Sequence, residues 1–397
     1  MLSVVFYILI FILAAILLRI ASHYYSAYKN ICQGDECLSS EGVLNSDVRL
    51  KKSYIDGNIK IKNRYRIKYY ISFVIALMPL FLIGALRYGI GTDYFYTYVP
   101  NFNLILNGED GNYNEIGFYL LNKFIQLFTD DPQWIFVITS FIFVFFLNRT
   151  IIHCSVNVTF SIAVLFCSSL YFWSLNNVRQ SIAAILIFAA FPHLLKRHTV
   201  RYLIYVVIAA VTFHITAIGM LIPYIIIHNN FVRKNFLPII VFFMIVLPIL
   251  CDVAIRLISI SPYAYFLSDS NFNIGEASDI KTLLNLFIFI TAMIIAYKYA
   301  KRNIYVHSLL VMQYFAFIMV AVTYFIGIPE MLNRLMFYFS AYQMLLIPYC
   351  VRIMRKVVAR RYISIFYIAG AGAFAVYGIC NGDYEILPYR WIFGVDR

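Results

Sequence analysis

The chain has 397 residues, of which 62% are hydrophobic and only 13% charged, with a mean hydropathy of +0.78. That balance excludes a water-soluble globule, whose exterior must stay polar, and the apolar runs approach the ~20 residues that cross ~30 Å of hydrocarbon as a helix. The net charge of +13 does not point to nucleic acid, because it is gathered in short segments between apolar runs.

Hydrocarbon leaves the backbone no outside partner, so only helices or closed barrels span it. Continuous runs such as "FVITSFIFVFFLN" and "VVIAAVTF" fit helices and not the alternation of a barrel strand. Apolar runs fall near residues 2–20, 68–86, 133–148, 156–175, 180–195, 202–227, 236–251, 281–297, 304–327, 335–350 and 362–380. They predict an all-α, polytopic transmembrane bundle of ten to twelve crossings, in a single integral membrane domain over residues 1–397.

In chain order, the first run lacks a basic leading segment and a small-residue cleavage site, so it reads as a retained span. Residues 21–66 follow as a basic loop; within 51–68, Lys51, Lys52, Lys60, Lys62, Arg64, Arg66 and Lys68 face one acid, Asp56. Lys/Arg-rich short loops stay cytoplasmic, which also keeps Cys32 and Cys37 of "CQGDEC" reduced. No further ligands stand at metal-site spacing, so no metal is expected. Residues 87–132 then emerge on the outer side, with six acids against Arg87 and Lys123. Inside this loop "NEIGFYLLNKFIQLF" has apolar residues at helical spacing and is too short to span, which predicts an interfacial amphipathic helix. Residues 202–227 are flanked by the basic "LKRHTVR" and "VRK". They form either a re-entrant hairpin turning near His214 or one long tilted span with a compensating crossing elsewhere. Residues 252–280 form a second acidic outer loop, and 352–361, with Arg352, Arg355, Lys356, Arg360 and Arg361, lie inside.

A charge deep in a bilayer costs ~2.5–3.5 kcal/mol on insertion scales, so charges at span ends are functional candidates. Arg87, Arg179 and Arg334 all fall at the outer ends of predicted helices. Their planar forks suit phosphate oxygens; the plainer alternative is that each anchors a helix end by snorkelling. Gly89 and Gly91 permit a tight bend that folds Asp93 back toward the rim. Tyr88, Tyr94, Tyr96 and Tyr98 serve either as an interfacial belt or as sugar-stacking rings. Asp93 and Glu115 are the candidate proton acceptors, against a turn-forming Asp and a first-turn helix acid. His214 is either a helix-packing hydrogen bonder or a base. No P-loop, dinucleotide fingerprint, HExxH or nucleophile elbow occurs, so a group transfer here needs a donor that carries its own leaving group.

With those residues in view, the chain resembles the EpsG-like family, grouped with the Wzy-type O-antigen and exopolysaccharide polymerases. "RYGIGTDYFYTY" (87–98), "NEIGFYLLNKFI" (114–125), "NNVRQSIAAILIF" (176–188), "FHITAI" (213–218), "NRLMFYF" (333–339) and "LPYRWIF" (387–393) follow the family's motifs in order. The first basic loop, with its two cysteines, departs from the pattern. The resemblance implies a GT-C-like architecture and a glycosyltransferase at the periplasmic face of the bacterial inner membrane. Such an enzyme moves a glycan from undecaprenyl pyrophosphate onto a lipid-linked repeat without metal, nucleotide or other cofactor. Its partners are the lipid-linked donor and acceptor, the bilayer and a chain-length regulator, with no nucleic acid. On this pattern Arg87, Arg179 and Arg334 hold the pyrophosphate, Tyr94, Tyr98 and Gln180 line the substrate, and Asp93 or Glu115 takes the acceptor proton. His214 is then a support or the alternative base. An O-antigen ligase, a lipid-linked oligosaccharide flippase and a structural membrane subunit are the rival functions.

Overall fold

The computed structural model describes residues 2–40, 48–111, 115–260, 279–326 and 329–394. Helices α1 (Leu2–Ser40) and α2 (Val48–Ala85) run antiparallel. Their far ends are joined by rings: Tyr24 lies 6.4 Å from Tyr65, Tyr25 lies 5.3 Å from Tyr69, and the Lys68 ammonium sits 5.4 Å over Tyr24. The segment expected as a loop over 21–66 is therefore helix up to Ser40 and from Val48 onward, while 41–47 lie outside the described residues. Charge patterning says which side of a membrane a segment prefers; it does not forbid a water-facing continuation of the helix.

The chain continues through a short π-helical turn (Tyr94–Tyr98), α3 (Val99–Leu106), α4 (Ile116–Gln126) and α5 (Gln133–Cys154). Next come α6 (Val158–Cys167), α7 (Leu170–Asn176), α8 (Val178–Ala189), α9 (Phe191–Leu195) and α10 (Thr199–Ile208). After a break come α11 (Leu221–His228), α12 (Asn230–Lys234) and α13 (Phe236–Ser259). The last third holds α14 (Asp279–Ala300), α15 (Ile304–Ala321), α16 (Thr323–Ile326), α17 (Pro329–Ser340), α18 (Gln343–Ile353) and α19 (Val357–Cys380). The outer loop expected over 252–280 falls mostly on residues 261–278, outside those described.

Among the described residues, seven helices are long and apolar enough to cross a membrane, or eight if the α6–α7 pair, bent by 56°, is one span. Ten to twelve crossings were expected, and the difference lies in runs that fold as short pieces. Residues 180–195 divide between α8 and α9, with Pro192 after the break, and 335–350 divide between α17 and α18. Residues 202–227 fold as a hairpin and not as one long helix. Thr199 and Tyr224 hydroxyls lie 2.6 Å apart, the Tyr202 and Tyr224 rings stack at 4.7 Å, and the Tyr202 hydroxyl donates to the Met220 carbonyl at 3.0 Å. His228 Nε2 also lies 3.0 Å from the Leu194 carbonyl. Both arms thus start and finish at the basic end, and His214 is the tip.

Apolar burial gives little driving force between helices in lipid, so close packing and internal hydrogen bonds must hold this bundle. Aromatic side chains fill much of the interior: Tyr7 meets Phe172 edge-on at 5.2 Å, and Trp173 stacks on Phe337 at 4.3 Å. The C-terminal segment closes the end opposite the basic segments. Tyr88 N–H donates to the Arg390 carbonyl at 3.0 Å, Ile392 N–H to Leu86 at 3.1 Å, and the Tyr7 hydroxyl to Ile386 at 3.1 Å.

Candidate functional site

The chain leaves α2 into a bend that positions Asp93. Gly91 takes φ +87°, and a side chain there would meet the Leu175 carbonyl oxygen at 3.0 Å, so only glycine suits the turn. Gln133, the first residue of α5, pins the same bend. Its amide nitrogen donates to the carbonyls of Ala85 (2.6 Å) and Arg87 (3.0 Å), and its oxygen accepts from the Tyr94 hydroxyl at 2.9 Å. Asp93 stands at the N-cap position of the π-helical turn, a geometry frequent at functional sites. Its backbone N–H donates to Asn176 Oδ1 at 2.9 Å, and Thr97 Oγ1 donates to its carboxylate at 3.4 Å.

Four other segments bring their ends to this bend. The break at Asn177 starts α8, which places Arg179 in the first helical turn. The Tyr98 hydroxyl accepts from the backbone N–H groups of Val178 and Arg179, and burial, with the nearby Asp93 charge, pushes it up to about 12. Glu115, just before α4, forms an ion pair with Arg179. The amphipathic helix expected here is present as Ile116–Gln126, and it rests on the hairpin tip through Gly117. A Cβ at Gly117 would come within 2.3 Å of Thr212 Cα. His214 Nδ1 accepts from the Thr216 N–H (3.4 Å) and lies 2.7 Å from Thr216 Oγ1, which lies 3.1 Å from the Tyr338 hydroxyl of α17. One turn earlier on α17, Arg334 is exposed, and its carbonyl accepts from Gln180 Nε2 at 3.3 Å.

The electrostatics tie these groups together. Burial raises the Asp93 carboxyl above its ordinary range, while Arg334, Arg179, the Thr97 hydrogen bond and Arg87 pull it back. His214, at the hairpin tip and outside the spanning helices, is pushed down to about 4 by burial and then by Arg179 and Arg334. The same two guanidiniums therefore act on both groups. His214 is a neutral imidazole near pH 7.

Arg87 lies elsewhere. It is 1% exposed, and its guanidinium sits 4.7 Å over the Phe136 ring. Among the described residues its Nε and Nη1 have no hydrogen-bond partner, and beside it is a cavity of about 10 Å³, lined by Thr139, Ser140, Tyr171, Ser174 and Ser181, with space for one water. Tyr94 stacks on the other participant in that contact, Phe136, at 4.3 Å, and Tyr98 is buried as well. Gln180 is buried against α17. Of the six side chains expected to line substrate, the structure thus encloses Arg87, Tyr94, Tyr98 and Gln180. It leaves Arg179, whose side chain is 23% exposed, and Arg334 open. Tyr94 and Tyr98 are enclosed because their hydroxyls face Gln133 and the start of α8, not water. Gln133, Asn176, Thr216 and Tyr338 were not foreseen as site residues. Asn176 stands within a quoted motif, and Gln133 is a polar residue at the head of an apolar run, so both left a faint signal. Among the described residues no three His, Cys, Asp or Glu side chains gather as a metal site.

No curated protein and no solved structure gives a match to this chain. The model of the EpsG family matches residues 70–391, a stretch that opens in the apolar half of α2 and takes in every site residue described above. The basic helical extensions of α1 and α2 lie outside it. A match over that much of the sequence makes the chain a member of the EpsG family.

Proposed function

We propose that this membrane protein is a polysaccharide polymerase, a glycosyltransferase independent of metal and nucleotide. It moves a glycan from undecaprenyl pyrophosphate onto a lipid-linked repeat at the periplasmic face of the bacterial inner membrane. Family membership supports a polymerase-type role. The observation that carries the chemistry is that Arg179 and Arg334, from two helices, both act on Asp93 and His214. In this reaction the bond between the sugar's anomeric carbon and the phosphate oxygen breaks. Arg179 and Arg334 stabilise the charge that grows on the leaving pyrophosphate. Asp93 takes the proton of the acceptor hydroxyl as its oxygen bonds to that carbon. Glu115, paired with Arg179, orients the guanidinium, and His214 supports the site through Thr216. Arg87 contributes a fixed charge behind Asp93 and does not touch substrate.

Deletion of the gene in a strain that displays its polymer as a ladder tests this function. Collapse of the ladder to a single repeat, restored by the wild-type gene and not by an Arg179→Ala variant, is expected. Undiminished chain length with Arg179→Ala removes the site, and loss of every repeat moves the protein to a ligase or flippase.

A further inference from the structure

The end of the bundle opposite the Asp93 site carries a feature that the proposed chemistry does not use. Helix α5 stops at Cys154, while α1 runs on as helix to Ser40 and α2 is helix from Val48. The last turn of α5 is level with Tyr25 and Tyr69. The His153 ring lies 4.5 Å from Tyr25, Tyr25 lies 5.3 Å from Tyr69, and Asn148 Nδ2 donates to the Ala76 carbonyl at 3.1 Å. Beyond Tyr25, α1 rises about a further 20 Å at 1.5 Å per residue. The two long helices therefore overhang the end of α5 and leave a step.

Cations crowd that step. The charges of Arg149 and Lys29 both act on the His153 ring, that of Arg149 acts on Tyr25 and Tyr69, and that of Arg66 acts on Tyr28 of α1. All three cations, and His153 itself, are exposed. The chain has no acid in residues 1–34, 57–92 or 132–251, so the segments that build the step bring no counter-charge of their own. Like charges held together repel unless an anion lies among them. The depth of the step says what kind of anion fits. The apolar part of α2, from Ile67 to Ala85, rises about 28 Å at 1.5 Å per residue, close to the ~30 Å of a hydrocarbon core. Arg66 thus stands where hydrocarbon gives way to headgroups. On its hydrocarbon side a seam opens between α2 and α5, closed at its base by Phe73 against Phe145 at 5.8 Å. Tyr70, Val74 and Phe141 along it are 59%, 50% and 48% exposed.

We propose that the step binds an anionic phospholipid of the adjoining leaflet, with its headgroup phosphate among Arg66, Arg149 and Lys29 and an acyl chain along the α2–α5 seam. Guanidiniums suit phosphate oxygens, and basic clusters between spanning helices at this boundary match anionic headgroups. An acidic protein segment would have to enter the headgroup layer to reach the same cations, and it would leave the seam uncovered. Arg66 and Lys29 lie outside the stretch that matches the EpsG family, so the site depends on this chain's own long hairpin. It requires only that the chain spans a bilayer, and it stands apart from the polymerase chemistry.

The test is native mass spectrometry of the full chain in detergent, titrated with phosphatidylglycerol or with phosphatidylcholine of the same acyl chains. Each cation beside an anionic headgroup is worth a factor of about five, so wild type should hold its first phosphatidylglycerol about tenfold or more tighter than phosphatidylcholine. The Arg66→Gln/Arg149→Gln double variant should lose about tenfold in phosphatidylglycerol affinity and bind phosphatidylcholine as before. Lys301→Gln/Arg302→Gln removes the same charge from the exposed turn after α14 and should keep the preference. If the first double variant fails to fold, Lys29→Gln carries the test, with a loss of about fivefold expected. Inorganic phosphate at matched ionic strength should leave phosphatidylglycerol in place, because it has no chain for the seam. No preference in wild type, equal loss in the two double variants, or displacement by inorganic phosphate overturns the proposal.

Discussion

The long helices and the broken ones divide the labour of this molecule. Helices α1, α2, α5 and α19 run unbroken for 39, 38, 22 and 24 residues and present mostly apolar or basic side chains. The breaks at 86–93, 115, 177 and 214 each deliver one polar group to the site: Asp93, Glu115, Arg179 and His214. Inside a bilayer, irregular backbone is tolerated only where protein or a water-filled cavity surrounds it, so each interruption must be satisfied locally. Here the satisfying groups are side chains: Gln133 at the first break, Tyr98 at the start of α8, His214 at the hairpin tip. The interruptions are therefore the places where polar side chains are already held in position. Unbroken helices supply the frame that keeps them there.

The largest expected effect separates the two open arginines from the enclosed one. Arg179→Ala should lower polymer output by about 100-fold or more, as loss of a charge-stabilising donor does elsewhere. Arg179→Lys should recover part of that, because the charge returns without the planar fork. An Arg179→Ala protein within threefold of wild type would break the comparison. Next comes Gly117→Val, which drives a side chain into the hairpin backbone. It should destabilise by about 2–4 kcal/mol as an overpacked contact and cut output about tenfold. The same substitution at Gly370, whose surroundings are open, should do neither. Smaller again is Arg87→Met. Replacing a buried cation by an apolar side chain of similar length is often neutral for folding, so the unfolding midpoint should hold. Output should fall about three- to tenfold through the lost charge behind Asp93. A null effect on output would make Arg87 purely structural.

The sequence made the class of molecule legible because hydropathy and charge report on the bilayer directly. The bend at Gly89 and Gly91 and the amphipathic helix ending at Gln126 were legible as well, from glycine's backbone freedom and from local periodicity, while the flanking charge left the hairpin at His214 as one of two alternatives. What remained hidden was side-chain direction within the bend. "RYGIGTDYFYTY" reads as a rim rich in hydroxyls, yet Tyr94 and Tyr98 turn inward because a π-helical turn shifts the register away from the 3.6-residue period. Arg87 was misplaced for a related reason. A charge at the end of a span looks solvated, and only the returning C-terminal segment, more than 290 residues later, encloses it. The buried amide cluster was invisible for want of a local pattern. Asn285, Gln313 and Gln343 stand on three helices and meet only through the fold.

The smallest expected effect decides which group sets the acid limb of the rate. Asp93 must be ionised to accept a proton, and burial holds its carboxyl above the ordinary 3.8. Output should therefore fall as pH drops through that raised value and stay level above it. His214, held down at about 4, gains its charge over a neighbouring acid range, so the wild-type profile alone does not separate the two. His214→Gln does. Glutamine can still accept from Thr216, and it cannot be protonated in this range. If Asp93 is the base, the variant keeps output within about threefold at pH 7 and leaves the acid limb where it was. If His214 is the base, output collapses at every pH. A histidine that only positions Thr216 and Tyr338 is also consistent with its lowered affinity for a proton. Two guanidiniums nearby make a cationic imidazole costly, and a base that must become cationic in the reaction would work against the same charges proposed to hold the diphosphate.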